Sequence, residues 1–286
     1  MDDSTLFSHQ EVTTILEPLL KKLISLHRSG KTSIIGIQGG QGTGKTTLSA
    51  LLKQKLEVLG YTTKSFSIDD FYETYAHRRQ LARKYSHNPF YAISRGLPGT
   101  HRVAYLHETL RKIKQGKNFS LPIFDKSLHH AAGDVLSKTI PVRGRQDFIL
   151  FEGWCVGIPV VSSSTLVSLC RKNNLDLQQL DPTLEHHKVV LQYLKQYQPL
   201  WKYLDYTLML RPDSMDFHQQ WRYQQEKELR QKTGRGMTKT EIDHFVGLFL
   251  PFTYLCYEKI KPDVRILINK KHEWYKMTIS SSLSRK

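Results

Sequence analysis

The chain has 286 residues, 39% of them hydrophobic and 24% charged, proportions that exclude wholesale disorder. At this length one core buries roughly 75% of the surface that the unfolded chain exposes, so neither disulfides nor a structural metal is needed for folding. Lys and Arg number 42 against 26 Asp and Glu, and the resulting +16 asks for an anionic partner. Cys155, Cys170 and Cys256 stand far apart, which predicts free thiols in a reducing compartment. No run approaches the ~20 apolar residues of a membrane-spanning helix. The opening MDDSTLFSHQ carries two acids and no basic leader pattern, so the expectation is a cytoplasmic protein with no membrane partner.

Taken in chain order, Val12 to Leu26 reads as a helix with Ile15, Leu19, Leu23 and Leu26 on one face. Pro18 predicts a kink there, or a helix that begins at that point. Ser33 to Ile37 is a short buried strand running into glycines. Leu48, Leu51, Leu52, Leu56 and Leu59 repeat at helical spacing from Gly44 until Gly60 stops the helix. Further strands are expected at Thr63–Ile68, Asp147–Phe151, Tyr206–Leu210 and Val264–Asn269, with Trp274–Ile279 as an edge strand. The alternation of strands and helices predicts a three-layer α/β/α fold around a mostly parallel central sheet. No repeat or linker divides the chain, so 1–286 reads as one domain, with a helical insertion at about 160–200 and a lid at about 214–240.

Gly39-Gly40-Gln41-Gly42-Thr43-Gly44-Lys45-Thr46 is a full G-x-x-x-x-G-K-S/T motif between a strand and a leucine-faced helix. Glycines there let backbone N–H groups converge on phosphate oxygens, and the helix N-terminus adds partial positive charge. This segment, with Thr47, is expected to bind ATP: Lys45 neutralises the terminal phosphates and the Thr46 hydroxyl ligates Mg²⁺. Asp69 and Asp70 follow the next strand, where the carboxyl ends of parallel strands line a ligand crevice. Asp69 is the expected base or metal-side acid, and Asp70 the cap of the next turn. Phe148-Ile149-Leu150-Phe151-Glu152-Gly153 ends in an acid placed to approach the same Mg²⁺. Residues 71–130 hold 11 Lys and Arg against 3 Asp and Glu, so half of the net charge lies between these motifs.

Read together, GGQGTGKTTL, FSIDDFY, RGLPGTH, FDKSLH, AAGD, FEGWCVG, WRYQQE and GRGMT run from residue 39 to about 246. In that order they resemble the glycerate kinase branch of the phosphoribulokinase/uridine kinase group of P-loop kinases. The resemblance implies ATP-dependent phosphorylation of D-glycerate at its 3-hydroxyl, with Lys45 and Asp69 catalytic. It implies a substrate side built from Asp70, Tyr72, Arg95, His101, Asp125, Lys126 and Arg222, and a lid in which Arg222, Arg230 or Arg235 could reach the phosphates. The metal set is Thr46, Asp69 and Glu152. Where the family pattern continues GLPGTH with an aspartate this chain has Arg102, and Val135 stands where a basic residue is usual. At a substrate-side position the arginine reverses local charge, so either that acid is structural in the family, or the acceptor preference is altered or the activity reduced.

Several readings remain beside this one. A kinase of the same group acting on a nucleoside- or pantothenate-like acceptor fits the same motifs, as does an ATP-binding regulator without metabolic turnover. Nucleic acid is not expected as a partner, since only the net charge favours it. His129-His130 and His186-His187 are neighbours whose side chains diverge, so no transition metal is expected. Trp201, Tyr203, Tyr206, Trp221 and Tyr223 read as core and lid packing.

Overall fold

The computed structural model describes residues 9–233 and 236–281. A short helical turn at His9–Glu11 passes through a π-helical stretch, Val12–Leu16, into helix α1 (Glu17–Leu26). Pro18 lies in the first turn of α1, where a missing N–H is tolerated, and the wider π turn precedes it. Then follow β1 (Ser33–Gly39), α2 (Lys45–Val58), β2 (Thr63–Ser67), a 3₁₀ turn (Ile68–Phe71), α3 (Tyr75–Lys84) and α4 (Val103–Lys114). A hairpin of β3 (Phe119–Asp125) and β4 (Asp134–Val142) leads to β5 (Phe148–Gly153). Residues 163–201 are helical, chiefly α5 (Ser163–Lys172) and α6 (His186–Leu194). The chain closes with β6 (Tyr206–Pro212), α7 (Asp216–Thr233), α8 (Lys239–Lys259), β7 (Val264–Ile268) and β8 (Trp274–Ile279).

Six strands form one sheet in the order β2-β5-β1-β6-β7-β8, parallel except for the antiparallel edge strand β8. Every residue of β1 and β5 is buried, as expected for central parallel strands covered on both faces. Successive β1 side chains enter opposite cores. Ile34 joins the cluster with Ile149, Phe151 and Met209, while Ile35 and Ile37 join Leu150, Leu208 and Leu210. Leu19 and Leu23 of α1, with Leu48, Leu52 and Leu56 of α2, close the second face. Leu106 and Leu110 of α4, with helices α5, α6 and α8, close the first. The result is the expected three-layer α/β/α arrangement. Leu59 departs from expectation: α2 ends at Val58, and Leu59 is 54% exposed beyond the leucine face.

The β3–β4 hairpin was not among the expected strands and lies outside the main sheet. Within the helical segment, Asp181 is fully buried and accepts from the His187 ring Nδ1 at 2.6 Å and the His187 N–H at 2.9 Å. His187 Nε2 lies 2.6 Å from Ser163 Oγ, so this network ties α5 to α6. Among the described residues no helix is long and apolar enough to cross a membrane.

Candidate active site

From β1 the chain crosses to β2 on one side, and β6 lies on the other, so a crevice opens at the carboxyl end of β1. The glycine-rich turn fills its mouth. Thr43 Oγ1 donates to the Gly40 carbonyl at 2.9 Å, and Lys45 Nζ donates to that same carbonyl at 2.9 Å. Two residues from distant helices hold the turn from behind. Tyr257 Oη accepts the Gly40 N–H at 2.7 Å, and His218 Nδ1 lies 2.7 Å from the Gln41 carbonyl. Gly40 is needed for this approach, because a Cβ there would overlap the His218 ring. Burial lowers the His218 pKa to about 4, so the neutral ring donates from Nδ1 to Gln41.

A cavity of about 550 Å³ opens beside this turn. Gln41, Lys45, Thr46, Asp69, Asp70, Tyr72, Arg95, Lys126, Glu152 and Arg222 line it, which gathers half of the sequence-nominated residues. Thr46 Oγ1 donates to Glu152 Oε1 at 2.8 Å. With Asp69 in the same cavity, these side chains offer the all-oxygen donor set that hard divalent cations take.

Asp69 accepts from Tyr72 Oη at 2.8 Å and lies 3.3 Å from Lys126 Nζ. Burial pushes its pKa upward, but Lys126, the Tyr72 hydroxyl and Lys45 outweigh that and hold it below the usual carboxylate value. The Lys45 ammonium is lowered by burial, against which Glu152 and Asp69 act. Asp70 also faces the cavity, and its carboxylate accepts the Ser67 N–H at 2.8 Å, completing a capping box with Ser67. Its pKa is raised by burial and by neighbouring Asp69 and Glu152, although the Ser67 bond and Lys126 oppose this.

Three nominated residues lie elsewhere. His101 is buried behind Tyr72, its ring stacked on the tyrosine at 4.5 Å and its Nδ1 2.8 Å from Tyr197 Oη. Asp125 closes a turn by accepting from Ser127 N–H and Oγ, at 2.8 and 2.6 Å. Arg230 Nη2 donates to the Met237 carbonyl at 2.6 Å, away from the cavity, and Arg235 lies outside the described residues. Arg102, whose charge was expected to bear on the acceptor, lies over the Tyr105 ring at 5.2 Å and does not line the cavity.

Sequence reasoning missed His218 and Tyr257 as supports of the glycine turn. His218 shares one face of α7 with Trp221, which also backs the turn: a Cβ at Gly42 would meet Trp221 at 2.8 Å. Phe245 and Phe249 of α8, with Trp154 after β5, form the apolar wall and were likewise not nominated.

The sequence pattern of the phosphoribulokinase/uridine kinase family matches residues 34–158. An uncharacterized kinase of Schizosaccharomyces pombe, mug58, is 31% identical over 249 residues, covering 85% of this chain and 87% of that protein. This chain belongs to the phosphoribulokinase/uridine kinase family. It is therefore an ATP-dependent P-loop kinase with a small-molecule acceptor. The chloroplastic D-glycerate 3-kinase of Arabidopsis thaliana is 32% identical over 233 residues, 78% of this chain and 47% of that protein. A solved structure of D-glycerate 3-kinase from Cryptococcus neoformans is similar with a TM-score of 0.80 at 27% identity, covering 95% of this chain and 98% of that one.

Proposed function

We propose that this P-loop kinase transfers the terminal phosphoryl group of ATP to the 3-hydroxyl of D-glycerate, forming 3-phosphoglycerate and ADP. The observation that carries the reading is the Asp69 carboxylate, held between Tyr72 and Lys126 in the cavity that also contains Lys45, Arg95 and Arg222. Asp69 is ionised at neutral pH and accepts the hydroxyl proton as the bond from the acceptor oxygen to phosphorus forms and the bond to the ADP oxygen breaks. Tyr72 donates to one carboxylate oxygen and Lys126 approaches the other, so Asp69 is oriented before substrate arrives. Arg95 and Arg222 supply the planar guanidinium donors that suit the acceptor carboxylate, and Phe245 and Phe249 exclude water beside them.

Lys45 and the glycine-turn amides act on the transferring phosphates. Thr46, Glu152 and Asp69 are the residues that would hold Mg²⁺, which would supply charge neutralisation at the phosphate oxygens. The relatives' names support the choice of D-glycerate, and the cations Arg95, Lys126 and Arg222 in the cavity support an acidic acceptor over a nucleoside.

The test is ADP release from Mg·ATP with D-glycerate, L-glycerate, uridine and pantothenate supplied in turn. The expected result is turnover dependent on D-glycerate and well above the acceptor-free rate. Turnover with uridine or pantothenate and none with D-glycerate sinks the assignment. Asp69→Asn is expected to lower kcat at least ~100-fold, the scale of a lost general base.

A further inference from the structure

Arg78 of α3 is 4% exposed and does not line the cavity, so no catalytic contact explains it. Its hydrogen bonds run to four backbone carbonyls. Nε donates to Glu73 at 2.9 Å, Nη1 to Ser94 at 2.7 Å and to Ala132 at 2.8 Å, and Nη2 to Gly133. These acceptors belong to three segments: the turn before α3, the loop that carries Arg95, and the turn that follows Lys126. A guanidinium has five N–H donors in a fixed plane, so this one fork fixes the spacing of all three segments.

The turn after Lys126 has an unusual backbone. His129, His130 and Ala131 have φ values of 52°, 55° and 67°, three successive non-glycine residues in the left-handed region. Such a run persists only where its surroundings over-determine it. Its carbonyls and those just after it point at two arginines: Ala131 accepts from Arg95 Nη1 at 2.5 Å, and Ala132 and Gly133 accept from Arg78. Asp134 closes the turn from its far end, accepting the Tyr75 N–H at 2.8 Å and lying 3.1 Å from His129 Nε2.

Phe124 is the common plate of this assembly. Arg78 and Arg95 lie 5.2 and 5.8 Å from its centroid, and the Tyr72 ring meets it edge-on at 4.9 Å. Gly133 is required beside it, since a Cβ would overlap the phenyl ring.

We propose that Arg78 is a positioning residue that sets the cavity cations Arg95 and Lys126 relative to Asp69. This rests on the reading of that side of the cavity as the acceptor side. Arg78 acts through the carbonyls it gathers and touches neither nucleotide nor acceptor. Charge alone does not serve this role: a lysine at 78 brings a single nitrogen and cannot span three segments.

The experiment compares wild type, Arg78→Lys and Arg95→Met by steady-state kinetics with Mg·ATP and D-glycerate, and by amide hydrogen exchange without ligands. Arg78→Lys is expected to raise the D-glycerate KM at least ~10-fold, matching Arg95→Met in direction, and to leave the ATP KM within about twofold. Exchange is expected to quicken in residues 92–97 and 127–135 and to stay unchanged in residues 39–47. Unchanged exchange in both acceptor-side segments overturns the proposal. So does quickening that extends equally to the glycine turn with loss of ATP binding, which is the mark of a general packing role. If wild type shows no D-glycerate turnover, the acceptor assignment fails, and the exchange pattern still decides whether Arg78 sets the two segments.

Discussion

Acidification tests the buried histidines. His101 and His218 are 4% and 2% exposed, and burial lowers the pKa of each from 6.5 to about 4. Between those values the unfolded chain binds a proton on each ring while the native chain does not, so stability falls as pH falls through this window. It is fully present above the unfolded value of 6.5 and lost progressively toward pH 4. With 1.36 kcal/mol for each unit of pKa difference, lowering the pH from 7 to 5 removes about 2 kcal/mol per ring, or about 4 kcal/mol for the pair. Against a typical total of about 5–15 kcal/mol this is a large fraction. Asp70 acts in the opposite sense, because a raised carboxyl pKa stabilises the native state on acidification. Urea unfolding followed by circular dichroism at pH 7, 6 and 5 measures the loss directly. His101→Asn and His218→Asn should each remove a comparable, substantial part of the pH dependence, and His272, whose pKa burial also lowers, adds to it. A wild-type unfolding free energy that is flat over this range, to within about 0.5 kcal/mol, would refute the claim that both rings are held neutral by burial.

Other perturbations probe the glycine turn and the helical segment. Gly40→Ala pushes a methyl into the His218 ring and is expected to raise the ATP KM at least ~10-fold, with overpacking costing about 1–3 kcal/mol of stability in urea titrations. Tyr257→Phe leaves the buried Gly40 N–H without its acceptor, and calorimetry should show a loss of about 1–3 kcal/mol. Asp181→Ala removes the buried partner of His187 and should cost about 3–5 kcal/mol, visible as a large fall in the urea midpoint, while Ser163→Ala costs about 1 kcal/mol.

The elements legible in sequence are those whose physics is local. β1 and β5 are buried on both faces, so their apolar runs and the acid or glycine that ends them can be read directly. The glycine turn was legible because backbone approach to phosphate fixes its spacing. The β3–β4 hairpin was not, because β4 is largely exposed and carries Pro141, while Pro122 sits at a register shift in β3. The site followed the same rule. Asp69 and Glu152 could be nominated because strand ends point to the crevice, and Thr46 because it follows the glycine turn; all three line the cavity. His101, Asp125 and Arg102 stand in the right motifs, yet the motif does not reveal which way a loop side chain turns. His218 and Tyr257 reach the glycine turn from 177 and 217 residues away, a separation at which one sequence carries no signal.

The placement of the hairpin has an evolutionary consequence. The cavity's Lys45, Thr46 and Glu152 belong to the central sheet and to the helix that springs from it. Arg95 and Lys126 are carried by a loop and by a two-stranded ribbon that shares no ladder with that sheet. Substitutions on the exposed face of β4 can therefore accumulate without shifting a strand register beneath the phosphate-binding turn. Changes on that face alter the rim of the cavity while the sheet that carries the glycine turn keeps its register.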